Sequence, residues 1–457
     1  MCKDRARGYV YELSRTELER LEECGFNVVR LGVIWDGLEP EPGWIDEEYL
    51  ARLEEQARAL AEHGMYVVLD MHQDLYSVRF SDGAPEWATL TDGLPEPAGA
   101  VVWSDAYMCE AVQRAFDHFW ANDPAPDGFG LQDHFASCWR ALAERFGGET
   151  WLFGYDILNE PFPGSIASHI YGALFKALSE IIGVEMGELL AISASLEGRA
   201  RLLQHLDDEH LYKRLLEKAE PFVREFEQKH LMPFYERVVE SIRSVTHLGI
   251  VLLEDCYFCN AGVATSLAPV ARGGLRELLQ AYGPHVYDLV VDAPYIATHF
   301  SPNRLKVIVE AKRKAQERLE TPVFVGEWGA FGRHEGVGSH CRQLLDLFDS
   351  MAWSWTYWAW TPDFWSTEAA GLIARPYPAA VAGRLLSYRC RERCFEMEWV
   401  VEPSTRAPTL VRLPKAFDPS EIRVEPKAAV RIVEGGKAVF VEVRGERVGR
   451  HALAIEG

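Results

Sequence analysis

Residues 14–32 read SRTELERLEECGFNVVRLG, and the architecture follows from how this stretch is divided. Ser14-Arg15-Thr16-Glu17 has the form of a capping box, in which the serine and the glutamate three places on satisfy orphan N–H groups at a helix start. Leu13 and Leu18 suit the accompanying hydrophobic staple, and Gly25 suits the left-handed stop. Residues 26–32 are then too short for a helix and rich in valine, so they read as a buried strand. The same order repeats at once. Asp46 caps a helix with apolar Tyr49, Leu50, Leu53, Ala57 and Leu60 at helical spacing, His63-Gly64 closes it, and residues 65–71 form the next strand.

Further strands are expected at 151–158, 247–253, 279–284, 322–325 and 353–358, with a helix over 301–320 that carries Pro302 in its first turn. Strands separated by helical stretches are parallel βα units. The fold class is therefore α/β, a (β/α)8 TIM barrel over residues 1–380. The barrel is one strand short. Residues 1–12 offer only Tyr9-Val10-Tyr11, so it is expected to lack its first strand and to stand open there. Residues 163–246 are almost wholly helix-forming, a long βα connection of the kind that builds lids and binding walls. Residues 381–457 change character to short β-forming runs with turns at Gly435-Gly436 and Gly445, a C-terminal β-sandwich.

Composition narrows the partners. The net charge of −22 repels phosphate backbones and anionic headgroups, which argues against nucleic-acid binding and electrostatic membrane docking. No apolar run reaches the length of a transmembrane segment, so lipid surfaces are met only by transient hydrophobic contact. The first residues lack the apolar stretch of a signal peptide, so the chain as written reads as cytoplasmic, or secreted if an export signal was lost from its start. Nine cysteines make no even framework and read as reduced thiols; Cys256-x-x-Cys259 has no second pair to complete a zinc site.

Barrel chemistry sits at the carboxyl ends of strands. The fourth strand ends in Asn159-Glu160-Pro161 and the seventh in Gly326-Glu327-Trp328-Gly329, which puts one carboxylate from each at the same rim. Such a pair about 5–5.5 Å apart suits retaining glycoside hydrolysis, with one group as nucleophile and the other as acid, then base. Asp70, His72 and Asp74 alternate and so share a face. That spacing also suits a metal, but no further ligand motif completes one, and sugar hydroxyls are the better partners for His72 and Asp74. No metal or cofactor is expected.

The motifs NVVRLGVIWDGLEPEPG, VVLDMHQDLYS, GYDILNEPFPG, YGPHVYD, VGEWGAFGR and ARPYP, in this order, resemble glycoside hydrolase family 5 and, within it, the endoglycoceramidase branch. The resemblance runs from about residue 26 to the end. It implies that Glu160 is the acid/base and Glu327 the nucleophile. It further implies that Arg30 and Tyr287 hydrogen-bond the nucleophile, that Asn159 meets the sugar's 2-hydroxyl, that His285 contacts the sugar, and that Trp358 is a sugar platform. Trp120 is a second platform candidate. The implied substrate is a glycolipid cleaved between glycan and ceramide; glucosylceramide, another simple β-glucoside or a β-glucan are the alternatives. Leu174, Phe175, Leu178, Ile181 and Ile182 of the helical insertion could supply an apolar wall for lipid tails.

Overall fold

The computed structural model describes residues 3–403, 405, 407–435, 438–444 and 447–457. The opening helix spans Arg15–Cys24, and its capping box is formed: Glu17 N–H donates to Ser14 Oγ at 3.3 Å and Ser14 N–H to Glu17 Oε2 at 2.7 Å. Strand β1 is Val28–Ile34, displaced from the expected 26–32. The reason lies in the helix end. Phe26 N–H bonds Leu21 C=O at 3.1 Å, a closure that keeps Phe26 in the cap rather than in the strand. Met65 does the same to Leu60 at 3.2 Å, and β2 begins one residue later, at Tyr66–His72. The helix between them, Glu47–Glu62, buries Tyr49, Leu50, Leu53, Ala57 and Leu60, the five positions its periodicity marks.

With β3 (Leu152–Asp156), β4 (Ile250–Leu253) and β5 (Gln280–Tyr282), these strands make one parallel sheet in chain order. The wall continues through β6 (His285–Val286), β7 (Phe324–Val325), β8 (Glu327–Trp328) and β9 (Ser354–Trp355). Strand β6 pairs with β8, β7 with β9, and Tyr282 bridges to Val323. No strand among the described residues joins β9 back to β1. The expected gap is thus a seam in the barrel. A cavity of about 530 Å³ runs along it, from Arg30 and Trp358 at the mouth past Phe26, Val28 and Trp355 to Tyr377. Tyr9 and Val10 are buried beside the seam without forming a strand, and the Tyr9 hydroxyl donates to Asp36.

The insertion after β3 folds as helices Ile166–Ile182, Met186–Ser193, Leu196–Leu203, Glu209–Leu216, Glu220–Phe226 and Met232–Arg243. Of its five apolar candidates, Leu178 is buried, and Leu174, Phe175, Ile181 and Ile182 pack half-buried on the main core. They brace the insertion more than they face lipid. The C-terminal unit is two four-stranded antiparallel sheets around Phe395, Met397, Trp399, Val411, Val441 and Leu453. Its first strand, Tyr377–Ala380, begins ahead of residue 381 because it pairs with Thr409–Leu413. Arg375 pairs with Asp349, Lys415 with Glu23 at 2.9 Å, and Tyr377 Oη donates to Gly25 C=O at 2.7 Å, tying the sandwich to the barrel.

Candidate active site

Four charged side chains stand in or just beyond otherwise apolar barrel strands: Arg30 in β1, Asp70 in β2, Asp156 at the end of β3 and Glu254 just past β4. All point into one cluster, and Arg30 is its hub. Its guanidinium donates to Glu327 Oε1 at 2.7 Å, Asp156 Oδ2 at 2.7 Å, Asn159 Oδ1 at 2.9 Å and Glu254 Oε1 at 2.9 Å, and it lies 2.9 Å from Asp70 Oδ1. A planar five-donor fork is the one side chain that can serve so many acceptors at once.

Glu160 and Glu327 meet across the mouth. One oxygen of each, with a nitrogen of His285, lies within 4.8 Å of the others. Glu327 accepts from Arg30 and, on its other oxygen, from Tyr287 Oη at 3.0 Å. Glu160 Oε1 accepts from Asn260 Nδ2 at 2.7 Å and lies 2.9 Å from His285 Nδ1. The two carboxylates are thus treated differently. Glu327 is clamped through both oxygens by donors, whereas the described contacts to the Glu160 carboxylate converge on one.

Gly326 lets β8 approach β6 this closely, for a methyl group there would sit 3.0 Å from His285 Nε2. Glu160 itself has φ +45°, a left-handed backbone that costs an ordinary residue roughly 1–3 kcal/mol unless its surroundings enforce it. Its neighbour Asn159 is held by Arg30 and donates to Gln73 C=O at 3.0 Å, while Gln73 Nε2 donates back to Asn159 C=O at 2.8 Å.

Burial in this crowd of acids raises carboxyl pKa values, and the two cations oppose it. Glu327 is pushed up by burial to about 7 against the pull of His285 and Arg30, and Asp70 to about 6 against Arg30. Glu254 is raised by burial against the pull of His285 and Arg30, and the contacts on its two oxygens are all with donors, as an ionised carboxylate requires. For His285, burial disfavours the charge, yet Glu254 and Glu327 outweigh it and hold the ring protonated. His72 is the reverse case: burial and the nearby Lys3 lower it, so its ring is neutral.

A second group lies beside the carboxylate pair. His72 stacks on Trp358 with ring centroids 5.1 Å apart and planes 10° from parallel, and its Nδ1 is 2.8 Å from Asp70 Oδ2. Lys3 stands over the Trp358 ring at 4.7 Å and pairs with Asp74, 3.9 Å from Asp82. An aromatic face rimmed by charged hydrogen-bonding groups is what a pyranose needs. His72, Asp74 and Asp82, like Glu160, His285 and Glu327, are also close enough to hold a cation; in the first group the Lys3 ammonium lies against Asp74.

Arg30, Asn159, Glu160, Tyr287 and Glu327 therefore come together as the sequence implies, and His72, Asp74 and Trp358 line the adjoining surface. Two expectations change. His285 is fully buried among Glu160, Glu254 and Glu327, so it orders carboxylates and has no face for a sugar. Trp120 is buried against Phe119, Phe226 and Phe234, with its indole N–H donating to Phe162 C=O at 2.8 Å, and it serves as packing rather than as a platform. The sequence reading missed Asp156, Glu254, Asn260, Gln73 and Lys3. For the first two a signal existed, an acid in or just after an apolar strand. Asn260 directly follows the Cys256-x-x-Cys259 pair and had none.

A parallel barrel with two carboxylates facing each other at its mouth, one of them clamped by an arginine and a tyrosine, defines a glycoside-hydrolase type of site. The comparisons agree with that class. The model of Cellulase (glycosyl hydrolase family 5) matches residues 14–364, and that of the glycoside hydrolase family 5 C-terminal domain matches residues 375–455. The chain belongs to glycoside hydrolase family 5. It is 38% identical over 157 residues to Endoglycoceramidase I of Rhodococcus hoagii, covering 34% of this chain and 30% of that one. It is 30% identical over 191 residues to a Glucosylceramidase of Rhizopus delemar, covering 35% and 28%. Matched segments span only 30% to 40% of the lengths of the endoglycoceramidase relatives. Endo-glycoceramidase II from Rhodococcus sp. superposes with a TM-score of 0.76 at 25% identity, covering 100% of this chain and 94% of that one; it has also been solved as a lactosyl-enzyme intermediate and with ganglioside GM3.

Proposed function

We propose that this protein is a retaining glycosidase that cleaves the β-bond between glycan and ceramide in glycosphingolipids. The observation that carries this reading is the approach of Glu160 and Glu327 oxygens to within 4.8 Å, close to the roughly 5–5.5 Å of retaining pairs and short of the roughly 6.5–9.5 Å of inverting ones. Glu327, held by Arg30 and Tyr287, attacks the anomeric carbon. Glu160 gives its proton to the departing ceramide oxygen, then takes one from the water that releases the glycan. The family relatives and the glycolipid-bound neighbour support the lipid-linked substrate. So does an apolar rim near the mouth. Val101, Trp103 and Met108 are exposed, and Trp103 Nε1 donates to Asp292 at 2.7 Å, which anchors the exposed indole. These side chains supply transient hydrophobic contact with a lipid surface, independent of charge.

Incubation with a labelled ganglioside, glucosylceramide and soluble cellulose tests the reading. Intact oligosaccharide plus free ceramide is the expected outcome. Glucose released only from glucosylceramide would move the assignment to the glucosylceramidase relatives, and shortened cellulose to a glucan hydrolase. Retention is tested separately by trapping a 2-fluoroglycosyl adduct on Glu327 for mass spectrometry.

A further inference from the structure

Glu254 is a buried carboxylate that the mechanism above does not use, yet it touches Arg30, Glu160 and His285. It follows β4 directly, and its side chain is 2% exposed. Its two oxygens serve different partners. Oε2 accepts the backbone N–H of Glu160 at 2.8 Å. Oε1 accepts from Arg30 Nη2 at 2.9 Å and lies 3.2 Å from His285 Nε2, an ion-pair contact. The same His285 presents Nδ1 to the Glu160 carboxylate at 2.9 Å.

One side chain thus reaches the acid/base residue twice. It reaches the backbone directly, where φ of +45° must be imposed from outside, and the carboxylate through an imidazole. Glu254 is itself held still. Its carbonyl accepts from Tyr235 Oη at 2.7 Å, and the next residue, Asp255, is bound by Lys312 Nζ at 2.8 and 3.0 Å and by the Tyr282 hydroxyl. This pedestal stands behind the cluster, on a strand that supplies neither catalytic carboxylate.

We propose that Glu254 is a positioning residue for the acid/base. It fixes the strained Glu160 backbone with one oxygen and anchors His285 with the other, so that the Glu160 carboxyl is presented to the leaving-group oxygen in the right orientation. This rests on the retaining reading of the Glu160–Glu327 pair. A glutamine is the discriminating replacement. It has the same shape but one acceptor, so it must present an amide N–H either to the Glu160 N–H or to the Arg30 and His285 cations.

The test uses leaving groups. With a dinitrophenyl β-glycoside the first step needs no acid, whereas a natural glycolipid needs Glu160 fully. Glu254→Gln is expected to lower kcat/KM on the glycolipid by roughly 10–100-fold and on the dinitrophenyl glycoside by less than about threefold. Azide, which needs no general base to attack the glycosyl-enzyme, should raise steady-state turnover of the dinitrophenyl substrate by the variant. In a Glu160→Ala background, Glu254→Gln should add almost nothing, because residues acting as a unit are not additive.

Equal losses on both substrates, no azide response, or full additivity with Glu160→Ala would overturn the proposal and leave Glu254 a purely structural acid. Glu254→Asp, which keeps the charge but withdraws it, is the check against misfolding and should show the same leaving-group selectivity more weakly. A wild-type protein inactive on both substrates would instead sink the retaining reading itself.

Discussion

The barrel mouth and the sandwich interior are both buried, and they are built on opposite principles. In the strand Cys394–Val401 every second side chain, Phe395, Met397, Trp399 and Val401, turns inward onto apolar neighbours. In the mouth, Asp70, Asp156, Glu160, Glu254 and Glu327 are buried around Arg30 and His285, and the backbone of Glu160 is strained. The first arrangement stabilises whatever encloses it. The second survives only because each charge is another's partner, and removing one partner from such a set leaves the rest uncompensated. The contrast separates what holds this protein folded from what it is folded for, and substitutions on either side can break it.

The largest effect is expected at the nucleophile. Glu327→Ala should lower kcat by about 10⁴-fold or more, while circular dichroism stays unchanged and the sandwich melts as before. Turnover surviving within tenfold would remove Glu327 from the chemistry. Glu160→Ala should lose about 10²–10⁴-fold on natural glycosides and far less on activated aryl ones; equal residual activities on the two substrates would reject its role.

The converse experiment is Trp399→Ala. It deletes a fully buried indole from the sandwich and should cost about 3–5 kcal/mol in unfolding free energy, read by denaturant titration, with kcat of the folded enzyme unaffected. A matching fall in kcat would show that the two interiors are coupled.

The acidic limb of kcat/KM sharpens the electrostatic side. Glu327 must be ionised to attack, and burial lifts it to about 7 against the pull of His285 and Arg30. Activity should therefore fall about tenfold per pH unit below neutrality, since protonation from that pH downward removes the nucleophile. A limb in the ordinary carboxylate range would mean that the two cations outweigh burial. The smallest effect is expected for Gly326→Ala, whose methyl group presses on His285 and should cost several-fold in kcat with little change in melting temperature.

The seam adds a contrast inside the barrel. From β1 to β5 the wall is a continuous ladder, whereas between β9 and β1 it is a cavity lined by Phe26, Val28, Trp355 and Tyr377. Lys3 stands at its upper end over Trp358.

Much of this was legible in the order of residues. Helix caps and strand starts are local, set by which N–H a nearby hydroxyl or carbonyl accepts, and the capping box at Ser14 formed as written; even the displacement of β1 comes from one cap bond at Phe26. The facing carboxylates were legible because strand ends in a parallel barrel share one rim, so Glu160 and Glu327 could be placed together from position alone. The environment of each side chain was not. His285 and Trp120 carry the chemistry of sugar contacts, and only the packing shows one walled in by three carboxylates and the other by three phenyl rings.

Sequence by itself determined the parallel barrel, the helical insertion, the sandwich and the two facing glutamates, because alternation, helical spacing and strand order are properties of neighbours along the chain. Only the tertiary structure decided which acids share Arg30, that Glu254 grips the Glu160 backbone, and that no strand among the described residues pairs β9 with β1. Those are contacts between residues tens to hundreds of positions apart, and charge–charge and hydrogen-bond energies depend on distances that no local pattern encodes.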